Sequence, residues 1–233
     1  HPAAGSRPPV TVAITGVIQA GGKSTRMGGA PKALLELGGR RIIERVLDVL
    51  RGVADPVLLV TNTPELYHFL GLLMIPDVFP DGGSLGGIYS GLHAAPGDVA
   101  FTVACDMPFI SPAVARLVTA RAPEADVVVP RVGEQWETLH ACYAKACLGP
   151  MERRLREGRL KITGFFDEVR VLAIPEAEIA RLADPARVFM NVNTPEELTA
   201  LFSDTRPEVV EDMRQAADAL REELAGELVT FVV

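Results

Sequence analysis

The feature that most narrows how this chain can fold is a junction. Val10 to Ile18 is a continuous, β-branched apolar run. It passes without a break into Gln19-Ala20-Gly21-Gly22-Lys23-Ser24-Thr25-Arg26-Met27-Gly28-Gly29. A strand with no polar alternation suits the middle of a parallel sheet covered on both faces. Gly21 and Gly22 at its exit let backbone come close to a ligand, and consecutive amides there can cradle an anion. Lys23, Arg26 and, just after Pro31, Lys32 add three cations. The chain as a whole is acidic, with 23 Lys plus Arg against 30 Asp plus Glu and a formal net charge of -7. A cationic cluster stands out in that background, and a triphosphate is its natural ligand. The loop is neither a Walker loop nor a dinucleotide fingerprint, because GxxxxGK[ST] and GxGxxG are both absent. A glycine-rich turn with solvated basic side chains is the plainer alternative.

Beyond the junction, strands alternate with amphipathic helices. Arg41 to Leu50 carries Ile42, Ile43, Val46, Leu47 and Leu50 at helical spacing. Val57 to Val60 reads as a buried strand, and Thr63-Pro64-Glu65 as a cap and proline opening a helix to Leu70. A strand near Met74-Ile75 leads into a second glycine-rich segment, Asp81-Gly82-Gly83-Ser84-Leu85-Gly86-Gly87, and a helix to about Ala94. Val99 to Ala104 is a further strong strand, and Ser111-Pro112 opens another helix. Val127 to Val129 and Val169 to Ile174 read as strands, Leu139 to Tyr143 as extended, Ala146 to Glu157 as helical, with a short helix near Phe165. This alternation predicts an α/β fold with a mostly parallel sheet. The loops after the strands, at Ala20, Asn62 and Asp106, would then share the carboxyl edge, where such sheets bind ligands.

Composition sets the outer limits. At 233 residues, 48% hydrophobic and 23% charged, the chain can build a substantial core. We expect a leader over 1–9, a main domain over 10–203 and an acidic extension over 204–233 that contains an amphipathic helix. The acidic balance argues against nucleic acid as a partner. No stretch approaches the ~18 apolar residues of a membrane span. Cys105, Cys142 and Cys147 do not form a CxxC pair and read as reduced, buried residues of a cytoplasmic protein.

Individual residues carry further expectations. Asp106 closes a strong strand beside the cationic loop and is well placed for Mg2+; a turn or capping aspartate is the alternative. Asn191 and Asn193 lie two apart and would face the same way if extended, or would form an Asx turn before the Thr194-Pro195-Glu196 helix start. Asn62 can read a base edge, and the Asp77 carboxylate can accept protons from a purine's ring N–H and amino group. His140 is the histidine nearest a polar cluster (Glu134, Gln135, Glu137) and is a candidate pocket hydrogen-bond donor or, less readily, a general base. No GxSxG or Cys-His pattern supports covalent catalysis.

The loop Val17 to Lys32, the segment Gly82-Gly83-Ser84-Leu85-Gly86-Gly87-Ile88, the stretch Cys105-Asp106-Met107-Pro108-Phe109 and Asn191-Val192-Asn193-Thr194-Pro195-Glu196-Glu197-Leu198 resemble, in this order, the molybdenum cofactor guanylyltransferase group of nucleotidyltransferases. The first loop alone marks only the wider superfamily. The resemblance implies a three-layer Rossmann-like nucleotidyltransferase fold. It implies transfer of GMP from MgGTP to the terminal phosphate of molybdopterin cofactor, giving a dinucleotide and pyrophosphate. Carried over residue by residue, Ala20, Gly21, Gly22, Arg26 and Lys32 belong to the triphosphate loop, and Asp106 to the magnesium site. Asn62 and Asp77 belong to the guanine pocket, and Gly86, Asn191 and Asn193 to the pterin side. Gln19 stands where the group commonly has leucine, and Ser84 where it usually has proline. The small molecules GTP and molybdopterin are the implied partners, with molybdoenzymes or other cofactor-biosynthesis proteins as possible protein partners, and a monomer or weak oligomer is expected.

The chemistry so implied is in-line attack of an acceptor phosphate oxygen on the α-phosphorus. That nucleophile is already ionised at pH 7, so positioning and charge neutralisation by Arg26, Lys32 and Asp106 carry the rate. A cytidylyltransferase for the same acceptor is the near rival, and alanine in place of Gly21 is expected of those enzymes. A sugar-phosphate nucleotidyltransferase and a non-catalytic pterin carrier are the more distant ones.

Overall fold

The computed structural model describes residues 12–21, 31–37 and 39–191. The expected leader, Gly22 and Arg26 of the first loop, Asn193 and the acidic extension lie outside the described residues. All described residues belong to the first of two units, His1–Val192, while the second, Asn193–Val233, lies outside them.

The first strand, β1 (Ile14–Gln19), is buried along nearly its whole length. It starts later and ends one residue further on than the apolar run suggests. Its bounds follow its neighbour β6 (Val99–Ala104), which pairs in parallel with it from Ile14↔Val99 to Gln19↔Ala104. On the other side β1 pairs in parallel with β4 (Val57–Val60), and β4 with β5 (Leu73–Ile75). The short strands β2 (Glu36–Leu37) and β3 (Arg40–Arg41) form a separate antiparallel pair. Further along, β7 (Val127–Val132), β8 (Gln135–Trp136), β9 (His140–Ala144) and β10 (Val171–Pro175) complete the main sheet, in the order β10-β7-β9-β6-β1-β4-β5 with β8 on β7. β9 runs antiparallel to both β6 and β7. The other long strands therefore share one direction, and their carboxyl ends lie along one edge.

Helix α1 (Ile42–Arg51) buries the apolar stripe expected of it, with Ile42, Ile43, Val46, Leu47 and Leu50 all buried. Helix α2 (Gly83–Ala94) is buried over most of its circumference. They cover opposite faces of β1. A side chain at Gly16 would meet Leu50 of α1, whereas Val17 lies against Gly91 of α2, as the period-2 alternation of a strand requires. α3 (Pro112–Ala120) joins α1 on the first face, and α4 (Leu148–Arg156) joins α2 on the second. Helices on both faces of a mostly parallel sheet give the three-layer α/β arrangement expected from the sequence.

The α2 seat is unusually close. A Cβ on Gly91 would sit 2.3 Å from Val17 Cγ1, and one on Gly87 would sit 2.5 Å from Gln19 Oε1. Two glycines one helical turn apart thus let the helix rest directly on alternate side chains of β1.

One element differs in kind. The segment after Thr63 forms two separate 3-10 turns, Pro64–Leu66 and His68–Leu70, instead of one helix. The Thr63 hydroxyl makes no capping bond; its backbone N–H donates to Thr61 Oγ1 at 3.1 Å. Gly71, at φ 62, stops the second turn. Ser111, by contrast, caps α3 by accepting from the Val114 N–H, and Pro112 sits at the helix start as expected.

Candidate functional site

Three chain segments leave the sheet side by side at the carboxyl edge. Ala20 follows β1, Thr61-Asn62 follows β4 and Cys105-Asp106 follows β6. Backbone bonds stitch them together: the Ala20 N–H donates to the Val60 carbonyl at 2.9 Å, and the Cys105 N–H to the Gln19 carbonyl at 3.1 Å. A cavity of about 680 Å³ opens there, within the size range of small-ligand sites. Ala20, Gly21, Asn62 and Asp77 all line it, so four of the predicted residues from three separate segments meet on one wall. A second hollow, of about 390 Å³, lies at the opposite end of β1 and gathers none of them.

Asp77 is the most fully prepared side chain of the cavity. Asn62 Nδ2 donates to Asp77 Oδ2 at 2.8 Å, and the Asp77 backbone N–H donates to Asn62 Oδ1 at 3.0 Å. This two-point brace fixes the carboxylate and turns it toward Gly21, where a Cβ would lie 3.4 Å from Asp77 Oδ2. Burial pushes the Asp77 pKa up, and the Asn62 bond pulls it back down.

The first turn of α2 forms another part of the wall through Gly83 and Ser84. Its unpaired N–H groups and positive dipole end favour a negative ligand. Gly87 also lines the cavity, whereas Gly86 does not: it is buried, and a Cβ there would lie 3.0 Å from the Phe79 carbonyl oxygen.

Asp106 lies one strand across from this wall. Burial raises its pKa, while its own backbone N–H and the nearby charge of Lys32 lower it. Lys32 is thus within electrostatic reach of the carboxylate, which unites two of the predicted catalytic residues. Burial, then the Asp106 charge, pushes the Cys105 thiol up to about 12, so it is no thiolate nucleophile at neutral pH. Cys142 and Cys147 are free and buried, as expected. Asn191 is exposed at the end of the described residues.

His140 is corrected outright. It opens β9 fully buried, packed edge-on against Phe101 and Phe189 with ring centroids 5.1 and 5.3 Å away. Neither ring nitrogen has a hydrogen-bond partner among the described residues. Burial pushes its pKa down to about 3. It is a core histidine and neither a pocket donor nor a base.

Sequence reasoning also passed over contributors. Thr63 lines the cavity where a helix cap was expected, and Leu160 reaches it from the loop after α4. Nothing in the local pattern around Leu160 marks it. Gln19 lines the cavity too, and a polar residue closing an apolar strand was the available signal.

The sheet, its edge cavity and the glycine-rich junction define an α/β nucleotidyltransferase-type fold. The same fold is seen in the crystal structure of molybdopterin-guanine dinucleotide biosynthesis protein A from Archaeoglobus fulgidus, at TM-score 0.68 and 24% identity, covering 80% of this chain and 95% of that one. Residues 16–169 match the family described as MobA-like NTP transferase domain, and the chain belongs to that family. Relatives include the molybdenum cofactor guanylyltransferase of Desulfosudis oleivorans, 42% identical over 80% of this chain and 93% of that protein. A probable molybdenum cofactor guanylyltransferase of Pelotomaculum thermopropionicum is also 42% identical, over 79% of this chain and 89% of its own length.

Proposed function

We propose that this chain transfers GMP from MgGTP to the terminal phosphate of molybdopterin, releasing pyrophosphate and forming molybdopterin guanine dinucleotide. The observation that carries the nucleotide half is the braced Asp77 carboxylate on the cavity wall beside Gly21. A carboxylate only accepts hydrogen bonds. Guanine offers it two adjacent donors, the ring N1–H and the exocyclic amino group. Adenine and cytosine each place a ring acceptor beside their amino group, and it would repel the carboxylate. The names of the relatives support the acceptor half.

Lys32, together with Arg26, would hold the triphosphate and offset the charge that gathers on departing pyrophosphate. Asp106 fits a magnesium site of the usual kind, in which one or two carboxylates are completed by phosphate oxygens and water. No group of three or more His, Cys, Asp or Glu that could hold a metal occurs among the described residues, so the donor set is that of an ion brought with its nucleotide. Such an ion, when bound, would neutralise phosphate charge in the transition state. The acceptor phosphate needs no base to become a nucleophile, and the inert Cys105 and His140 are consistent with direct displacement without a covalent intermediate. Gly86, Asn191 and Asn193 stay assigned to the pterin side, on the resemblance alone. For Gly86 that means its helix, since Gly83, Ser84 and Gly87 are the residues on the wall.

Pyrophosphate release with molybdopterin, MgCl₂ and GTP, CTP or ATP, with the product identified by mass, tests the proposal. A GMP-pterin product formed only with GTP is expected. A preference for CTP would overturn the role given to Asp77. Absence of turnover in folded protein that binds the pterin would overturn the transferase reading.

A further inference from the structure

Asp77 leaves the sheet just beyond β5, on a stretch that side-chain packing holds only in part. Pro76, Val78 and Pro80 are exposed, Val78 to 51%, and Pro76 has no N–H to give. Hydrogen bonds fix the stretch instead, and they come from two sides. The Asp77 N–H goes to Asn62, just past the end of β4. The next amide, that of Val78, donates to Ser90 Oγ at 2.9 Å. One residue on, the Phe79 carbonyl accepts from the Gly82 N–H at 2.8 Å. Ser90 sits inside α2 with none of its surface exposed. Its hydroxyl proton is spent on the Gly86 carbonyl one turn back, at 2.7 Å, which leaves oxygen lone pairs for the Val78 amide. A serine bonded back to its own helix adds nothing to that helix; here the same oxygen also takes a bond from outside it. That bond ties the residue after Asp77 to the helix whose first turn, through Gly83 and Ser84, forms another part of the cavity wall.

We infer that Ser90 is a positioning residue for nucleotide binding: it anchors the Asp77-Val78 peptide to α2 and so fixes where the Asp77 carboxylate stands. The inference rests on the guanine reading of Asp77 above and adds a group that acts on it through the main chain. Asn62 braces the carboxylate itself; Ser90 braces the peptide that carries it. Being fully buried and outside the cavity lining, Ser90 makes no contact with the ligand. Without its hydroxyl the Val78 amide loses its acceptor, and the stretch is left to its exposed side chains and the Asn62 and Gly82 bonds at either end.

Calorimetric titration with MgGTP of the wild type, Ser90→Ala, Asp77→Ala and the double variant tests this without any acceptor substrate, and thermal melts verify that each protein folds. Ser90→Ala should weaken GTP binding about tenfold, the scale of one buried hydrogen bond. In the Asp77→Ala background the same change should cost no more than about twofold, because the carboxylate through which Ser90 acts is gone. Ser90→Cys, made in the same two backgrounds, refills the space with a weak acceptor and should lose affinity as Ser90→Ala does. An equal loss in both backgrounds, or full affinity in Ser90→Cys, would overturn the inference in favour of a packing role. Unchanged affinity in Ser90→Ala would overturn it too. In each of these cases a loss of GTP affinity in Asp77→Ala alone leaves the guanine reading standing. An Asp77→Ala protein that binds GTP as tightly as the wild type would overturn both.

Discussion

Asn62 commits two polar atoms to Asp77, and under the proposed function it would act on the nucleotide through its neighbour. The Asn62 bond lowers the Asp77 pKa against the upward push of burial. Removing it raises that pKa further, so the carboxylate takes up a proton at a higher pH. Asn62→Ala should therefore move the acid limb of kcat/KM for GTP to higher pH and raise KM about tenfold, the scale of one hydrogen bond to a charged group. A pH profile that does not move would show that Asn62 does not tune Asp77. At this scale the sequence was informative where residue type and position agreed. An aspartate and an asparagine just beyond strands could be assigned to the ligand edge, and the structure brings Asn62 and Asp77 into direct contact. His140 misled because polar neighbours in sequence do not say where the ring goes: a strand delivers it between two phenylalanines.

Among the elements, α2 on β1 is the contact that shapes the cavity. With only 2.3 Å between a Cβ on Gly91 and Val17 Cγ1, Gly91→Ala overpacks the seat and should destabilise the protein by about 1–3 kcal/mol in urea unfolding. Adding Val17→Ala to Gly91→Ala should cost less than the sum of the two single changes. Simple additivity would show that the helix finds room elsewhere. The amphipathic stripe of α1 and the Ser-Pro start of α3 were plain in the sequence because each is a local pattern. The direction of β9 was not, because an apolar run reads the same whether its partners lie parallel or antiparallel. The two 3-10 turns after Thr63 escaped for a related reason: a cap-and-proline signal marks a start, while the hydroxyl that should cap makes no capping bond.

For the molecule as a whole, the buried neutral His140 gives a definite response to acid. Its pKa is about 3 in the folded chain against 6.5 for an unburied histidine. Between those values the unfolded chain binds a proton that the folded chain refuses. Stability is therefore complete above about pH 6.5 and falls as the pH drops, by up to about 1.4 kcal/mol per pH unit from this one group. His140→Leu should flatten the fall of Tm between pH 7 and pH 5, and equal slopes in both proteins would remove His140 as its source. None of the described helices is long and apolar enough to cross a membrane. The general plan, strands and helices in alternation with ligand loops at one edge, could be read from the sequence because each layer leaves its own periodicity.

The pairing of Gln19 with Ala104 has a consequence for how the protein comes into being. It brings Cys105 and Asp106 beside the end of β1 only after α1, β4, β5 and α2 have been laid down between them. Contacts so distant in the chain form late and slowly. The cavity wall and Asp106 thus stay apart during synthesis until β6 joins β1. A nascent chain that has not yet emitted β6 has the glycine loop but no site, and nucleotide can reward only the finished fold.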